Sequence, residues 1–81
     1  MTGHYLTKPK RMDAHRVSFL LFDEEKQTAI SCQTAFGMDA ASKLHELEKL
    51  KRITIEGSWI PAHRADPMVF CVESIIPLER I

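Results

Sequence analysis

The 81 residues have room for a single domain, residues 1–81, around one core. With 44% hydrophobic and 27% charged residues, the composition is that of a globular chain rather than a disordered one. Eleven Lys+Arg balance eleven Asp+Glu, and zero formal charge with a pI near 6.9 excludes a binder whose whole surface is positive. Any affinity for phosphate has to come from local clustering of charge.

Met1–Tyr5 lacks the charged start and apolar stretch of a secretory leader, and no apolar run approaches the length of a bilayer span. Thr2–Thr7 reads as a short first strand, weakened by Gly3. Lys8, Lys10, Arg11 and Arg16 face only Asp13 within residues 1–16, a local charge of +3, and Pro9 argues against a helix there. Val17–Phe22 is a second strand, rich in aromatic and aliphatic residues. Asp23–Gln27 is a polar turn of hairpin length, and Thr28–Thr34 resumes as a third strand with Ile30 and Cys32 alternating against Ser31 and Gln33.

After Gly37, Asp39 is placed to cap a helix. Ala40, Ala41, Leu44, Leu47 and Leu50 recur at helical spacing, predicting an amphipathic helix of about three turns over Ala40–Lys51. The period switches to two from Arg52: Ile53 and Ile55 alternate with Thr54 and Glu56, leading to Gly57 and Trp59 in a fourth strand. Pro61–Pro67 reads as a loop, and Met68–Ile76 as a fifth strand closed by Pro77. Cys32 and Cys71 lie in apolar segments; one disulfide is arithmetically open, but the expectation is two buried thiols in a reducing cytoplasm.

Three strands, a helix and two strands fit either a small α+β domain or a Greek-key barrel. As an ordered set, Val17–Glu24, Thr28–Thr34, Ala40–Lys51, Ile53–Gly57 and Val69–Leu78 resemble the OB-fold of the anticodon-binding type. That family also supplies modules to class II tRNA synthetases, bacterial replicative polymerases and RecG-like helicases. The resemblance covers residues 8–80 and implies an all-β domain with one helix: a five-stranded Greek-key OB-fold barrel, the helix between strands 3 and 4. The hairpin turn departs from the family in having no glycine at Lys26-Gln27.

Barrels of this kind bind oligonucleotides on the face of strands 2 and 3, between the 1–2 and 4–5 loops. In this chain those loops are Lys8–Arg16 and Pro61–Pro67, which hold Lys8, Lys10, Arg11, Arg16, His63 and Arg64. Four phosphate contacts on a single strand would give a log–log salt slope of about −3. Ser31 and Gln33 are positioned on the third strand to hydrogen-bond base edges, although plain solvent-facing strand residues are the more ordinary explanation. Stacking candidates are Tyr5, Phe22 and Trp59. Phe22 falls on the strand face opposite Phe19, which is read as core; Trp59 shares parity with Ile53 and Ile55 and is expected to be buried.

Catalysis finds no support. His4, His15, His45 and His63 show no metal-ligand spacing, and three glycines do not make a phosphate loop. The expectation is a cytoplasmic, non-enzymatic domain without cofactor or metal that binds single-stranded DNA or RNA, as accessory to a larger replication, repair or translation protein. A rival reading is an OB-fold interaction or regulatory subunit without nucleic-acid ligand. Its docking edge would be the apolar run Ile75–Leu78, ending at Ile81, against a partner or a second copy. The rival gains if Glu24, Glu25 and Glu56 crowd the binding face.

Overall fold

Alternation along β3 (Arg16–Asp23) and β4 (Thr28–Ala35) turns Val17, Phe19 and Leu21 inward with Ile30, Cys32 and Thr34, and these become one wall of the core. The computed structural model describes residues 1–35, 37–61 and 68–81. Its remaining elements are β1 (Thr2–Tyr5), β2 (Lys10–Arg11), a 3-10 turn (Gly37–Asp39), α1 (Ala40–Leu47), β5 (Leu50–Pro61) and β6 (Met68–Arg80). Five strands close on themselves in the order β1–β5–β6–β4–β3–β1; β4 and β6 are parallel and every other neighbour is antiparallel. The result is a closed, mixed five-stranded OB-like barrel with its helix between the third and fourth barrel strands. No described helix is long and apolar enough to cross a membrane.

Ile53, Ile55, Phe70 and Val72 complete the interior, and Ala40 and Leu47 of α1 join the same cluster together with Leu50. Within it the Thr34 hydroxyl donates to the Val17 carbonyl (3.3 Å) and accepts from the Val17 N–H (3.2 Å), so a polar side chain is buried with both capacities used. Tyr5 packs near-perpendicular on Phe19, with centroids 5.0 Å apart, which makes it part of the core rather than a stacking platform.

The first strand ends at Tyr5 rather than Thr7, and a second short strand follows it on the same neighbour. Gly3–Tyr5 pair with Asp23–Leu21; after an excursion at Thr7–Pro9 the chain returns as β2, with Lys10 opposite Ser18 and Arg11 opposite Val17. At the excursion the Thr7 hydroxyl accepts from the Leu20 N–H (3.4 Å), in the place of a backbone carbonyl. The connection expected at Lys8–Arg16 is therefore a tight turn at Asp13–His15, closed by the Met12 N–H on the Arg16 carbonyl (2.9 Å) and the His15 N–H on Asp13 Oδ1 (2.7 Å). Gly3 strengthens β1 rather than weakening it, because a Cβ there would collide with the Phe22 carbonyl of the neighbouring strand.

Three other expectations shift. The helix ends at Leu47 instead of running to Lys51, because Leu50 is drawn into β5 opposite Arg80 and the Lys49 carbonyl accepts the Ile81 N–H (2.8 Å). Asp39 precedes α1 but makes no side-chain cap bond. β6 continues through Pro77 to Arg80; β4 pairs with it only at Phe70–Val72, so Pro77 lies where β5 is the neighbouring strand and a missing N–H is tolerated.

Trp59 keeps the inward parity of Ile53 and Ile55, opposite Phe70, while β6 absorbs an extra residue between Val72 and Ser74. It is nevertheless 37% exposed, since β5 runs well past its pairing with β1 at Arg52–Thr54 and carries the indole to the barrel's end. Both cysteines are free; Cys32 is buried as expected, but Cys71 is only half-buried.

Candidate nucleic-acid interface

The outward positions of β3 are Arg16, Ser18, Leu20 and Phe22, and those of β4 include Ala29, Ser31 and Gln33, in register as Ser18–Gln33, Leu20–Ser31 and Phe22–Ala29. None is a carboxylate. Beside them β2 adds Lys10, opposite Ser18 on the same outer face. Thr7, Lys8, Lys10, Ser18, Leu20 and Ser31 line a shallow groove of about 250 Å³. Its floor is mixed: Leu20 presents an aliphatic surface, and Ser18 and Ser31 offer hydroxyls that donate or accept.

The residues singled out from sequence fall into three groups. Lys8, Lys10 and Ser31 meet in the groove, with Gln33 half-buried beside Ser18 and Arg16 exposed at the start of the same face. Arg11 and Phe22 stand apart. Arg11 is paired with inward-facing Val17, so it shares the opposite face of the sheet from Lys10, and its Nε donates to the Asp13 carbonyl (3.1 Å). Phe22 is outward but half-buried, its ring 5.2 Å from that of His4 and tilted by 37°. His63 and Arg64, with the rest of residues 62–67, lie outside the described residues.

Charge on this side is uneven. Asp13 sits at the turn next to Arg16, and its carboxyl is held below the usual carboxylate range first by the backbone N–H of His15 and further by Arg16. Of the acids that would favour the rival reading, Glu24 is clasped by Arg52 of β5 through Nε–Oε1 (2.7 Å) and Nη2–Oε2 (2.8 Å). Glu56 belongs to β5, opposite Ser74 of β6, and is not among the outward residues of β3 and β4. Glu25, exposed in the β3–β4 turn, gives its N–H to Asp23 Oδ1 (3.0 Å).

Thr7, Ser18 and Leu20 were not named from sequence as groove residues. Strand alternation already placed Ser18 and Leu20 on the face opposite Phe19, and that signal was sufficient to find them. Thr7 had none, because it enters the groove only through the excursion between β1 and β2. A larger cavity of about 360 Å³ lies elsewhere, between α1 and β6, with Leu47, Leu50, Ile75 and Pro77 as apolar walls and Lys43, Glu46, Glu73 and Arg80 at its rim. No family model, curated protein or solved structure matches this chain.

Proposed function

We propose that this barrel binds single-stranded DNA or RNA across the outer face of β3 and β4. The observation that carries the reading is the juxtaposition of Lys8, Lys10 and Arg16 with Ser18, Leu20, Ser31 and Gln33, on a pair of strands whose outward positions hold no carboxylate. In a chain of zero net charge this concentrates cations where a phosphate chain can displace condensed counterions, while hydroxyl and amide groups lie within reach of bases. Three phosphate contacts correspond to a salt slope of about −2, shallower than the four-contact value because Arg11 is turned away. We read the domain as one of the anticodon-binding type of OB-fold, acting in the cytoplasm as accessory to a larger replication, repair or translation protein.

The test is fluorescence anisotropy of labelled oligo(dT) and oligo(U) at low and moderate salt. Binding that weakens with salt at a slope near −2, and that falls when Lys8 and Lys10 are replaced by Ala, supports the reading. Absence of binding at low salt and high protein concentration overturns it. The α1–β6 cavity favours a second reading, a protein-interaction module whose partner inserts an apolar side chain between Leu47 and Ile75. That reading predicts a binding partner insensitive to Lys8 and Lys10 and sensitive to Leu47→Ser.

A further inference from the structure

Among the described residues the β3–β4 face has no freely exposed aromatic, since Phe22 is covered by His4, yet single-strand binders of this kind draw much of their affinity from base–aromatic stacking. An aromatic of the right kind lies beside the β3–β4 turn, at the barrel's end and on the inward parity of β5 rather than on the face itself. Trp59, the single tryptophan, is 37% exposed and braced by Phe70 at 5.2 Å in a near-perpendicular arrangement. Lys26 Nζ stands 5.7 Å from its ring centroid. Lys26 belongs to the turn that joins β3 to β4, so the indole adjoins the turn end of the face, while Lys10 marks the other end opposite Ser18. From Ser18 to Asp23 the strand covers about 17 Å, a stretch that several nucleotides of a bound strand can follow.

We propose that Trp59 is a stacking platform for an unpaired base at the point where the strand lying on the β3–β4 face passes over the β3–β4 turn to the barrel's end, with Lys26 as its cover. The inference rests on the nucleic-acid reading above. In the free protein the ammonium lies against the indole, an interaction that is weak at an exposed site. A base takes its place on the ring, and Lys26, on its flexible four-carbon stem, moves to the adjoining phosphate. Phe70 holds the indole in position, so little side-chain freedom is lost when the base arrives. Glu24 is neutralised by Arg52 and Glu25 is exposed beside Lys26, so this end contributes through stacking more than through charge.

Because the chain has one tryptophan, its intrinsic fluorescence reads the site without a label. Oligo(dT) is titrated into the protein with anisotropy and tryptophan emission followed together. The expected result is quenching of Trp59 emission that saturates with the anisotropy. Trp59→Leu is expected to weaken binding between about fivefold and a hundredfold with an unchanged salt slope, and Trp59→Phe to recover part of the loss. With Lys26 as a fourth phosphate contact the parent slope becomes about −3 rather than about −2, and Lys26→Ala, an exposed turn substitution, is expected to return it to about −2. Binding by anisotropy with no change in tryptophan emission, and undiminished affinity in Trp59→Leu, overturns this inference and leaves the face reading standing. Should no oligonucleotide bind at low salt, the face reading itself fails and this one with it.

Discussion

The Arg52 guanidinium grips both carboxylate oxygens of Glu24, at 2.7 and 2.8 Å, and so links β5 to the end of β3. β1 runs between those two strands and pairs with both, so the ion pair acts as a clasp across the seam that closes the barrel. Hydrogen bonding to Arg52 holds the Glu24 carboxyl below its ordinary range.

The sign of the resulting pH dependence follows directly. A depressed folded-state value means the contribution is fully present above the unfolded value of about 4.3 and is lost as pH falls through the lower folded value. Glu24→Gln is therefore expected to unfold at lower temperature than the parent at pH 7, with the difference closing toward pH 3. Thermal melts at the two pH values check this, and a gap that persists at pH 3 would show that the clasp is not ionic in origin.

Thr34 makes a complementary prediction inside the core. Thr34→Val keeps the shape but leaves the Val17 N–H without the hydroxyl it donates to, which costs about 1–3 kcal/mol. Urea denaturation measures it; a loss under about 0.5 kcal/mol would mean the amide finds another acceptor.

At Tyr5 the outcome runs the other way. Its hydroxyl is buried and hydrogen-bonds to no protein group, and burial, aided by nearby Cys32, pushes its ionisation upward from the ordinary value. Tyr5→Phe is expected to be neutral or stabilising by about 1 kcal/mol. A raised folded-state value means stability is intact below the unfolded value of about 10 and declines as pH rises above it, so the variant's advantage grows in alkali. Spectrophotometric titration reads the single tyrosine directly, and a Tyr5 that ionises near 10 in the folded protein would sink the idea.

Lys10 and Arg11 are adjacent in sequence but lie on opposite faces of the sheet, which gives the proposed function an internal control. Lys10→Ala should make the oligonucleotide salt slope shallower by about 0.7, and Arg11→Ala should leave it unchanged. Parallel anisotropy titrations decide the matter; equal effects from both would mean that positive charge, rather than the face, drives binding.

Most of the barrel was legible because its signals are local. Alternation in Val17–Phe22 and Thr28–Thr34 sufficed for the core wall, and the short turn between them required a hairpin. What escaped depends on partners remote in sequence. The helix loses its last turn because Leu50 is claimed by Arg80, and Pro77 stays in a strand because no second neighbour needs its N–H. Parity predicted the direction of Trp59 correctly and its burial wrongly, since parity carries no information on where a barrel ends. The excursion at Thr7–Pro9 was equally invisible, and it decides which cations share a face. Gln27 shows the same limit in miniature: it adopts φ 56°, the left-handed conformation for which a glycine was expected, with its side-chain Nε2 donating to the Glu24 carbonyl (2.6 Å).

Closure by the four-residue β1 has a consequence for how the domain fails. Leu21–Asp23 of β3 and Arg52–Thr54 of β5 each take β1 as their partner on that side. If β1 peels away, two strand edges are uncovered at once, and unpaired edges are templates for joining other chains. This seam joins residues some fifty positions apart in sequence, which makes it a late-forming contact in folding and the first to open under stress. Aggregation of this protein is thus expected to begin from a barrel still largely intact, with only its shortest barrel strand displaced.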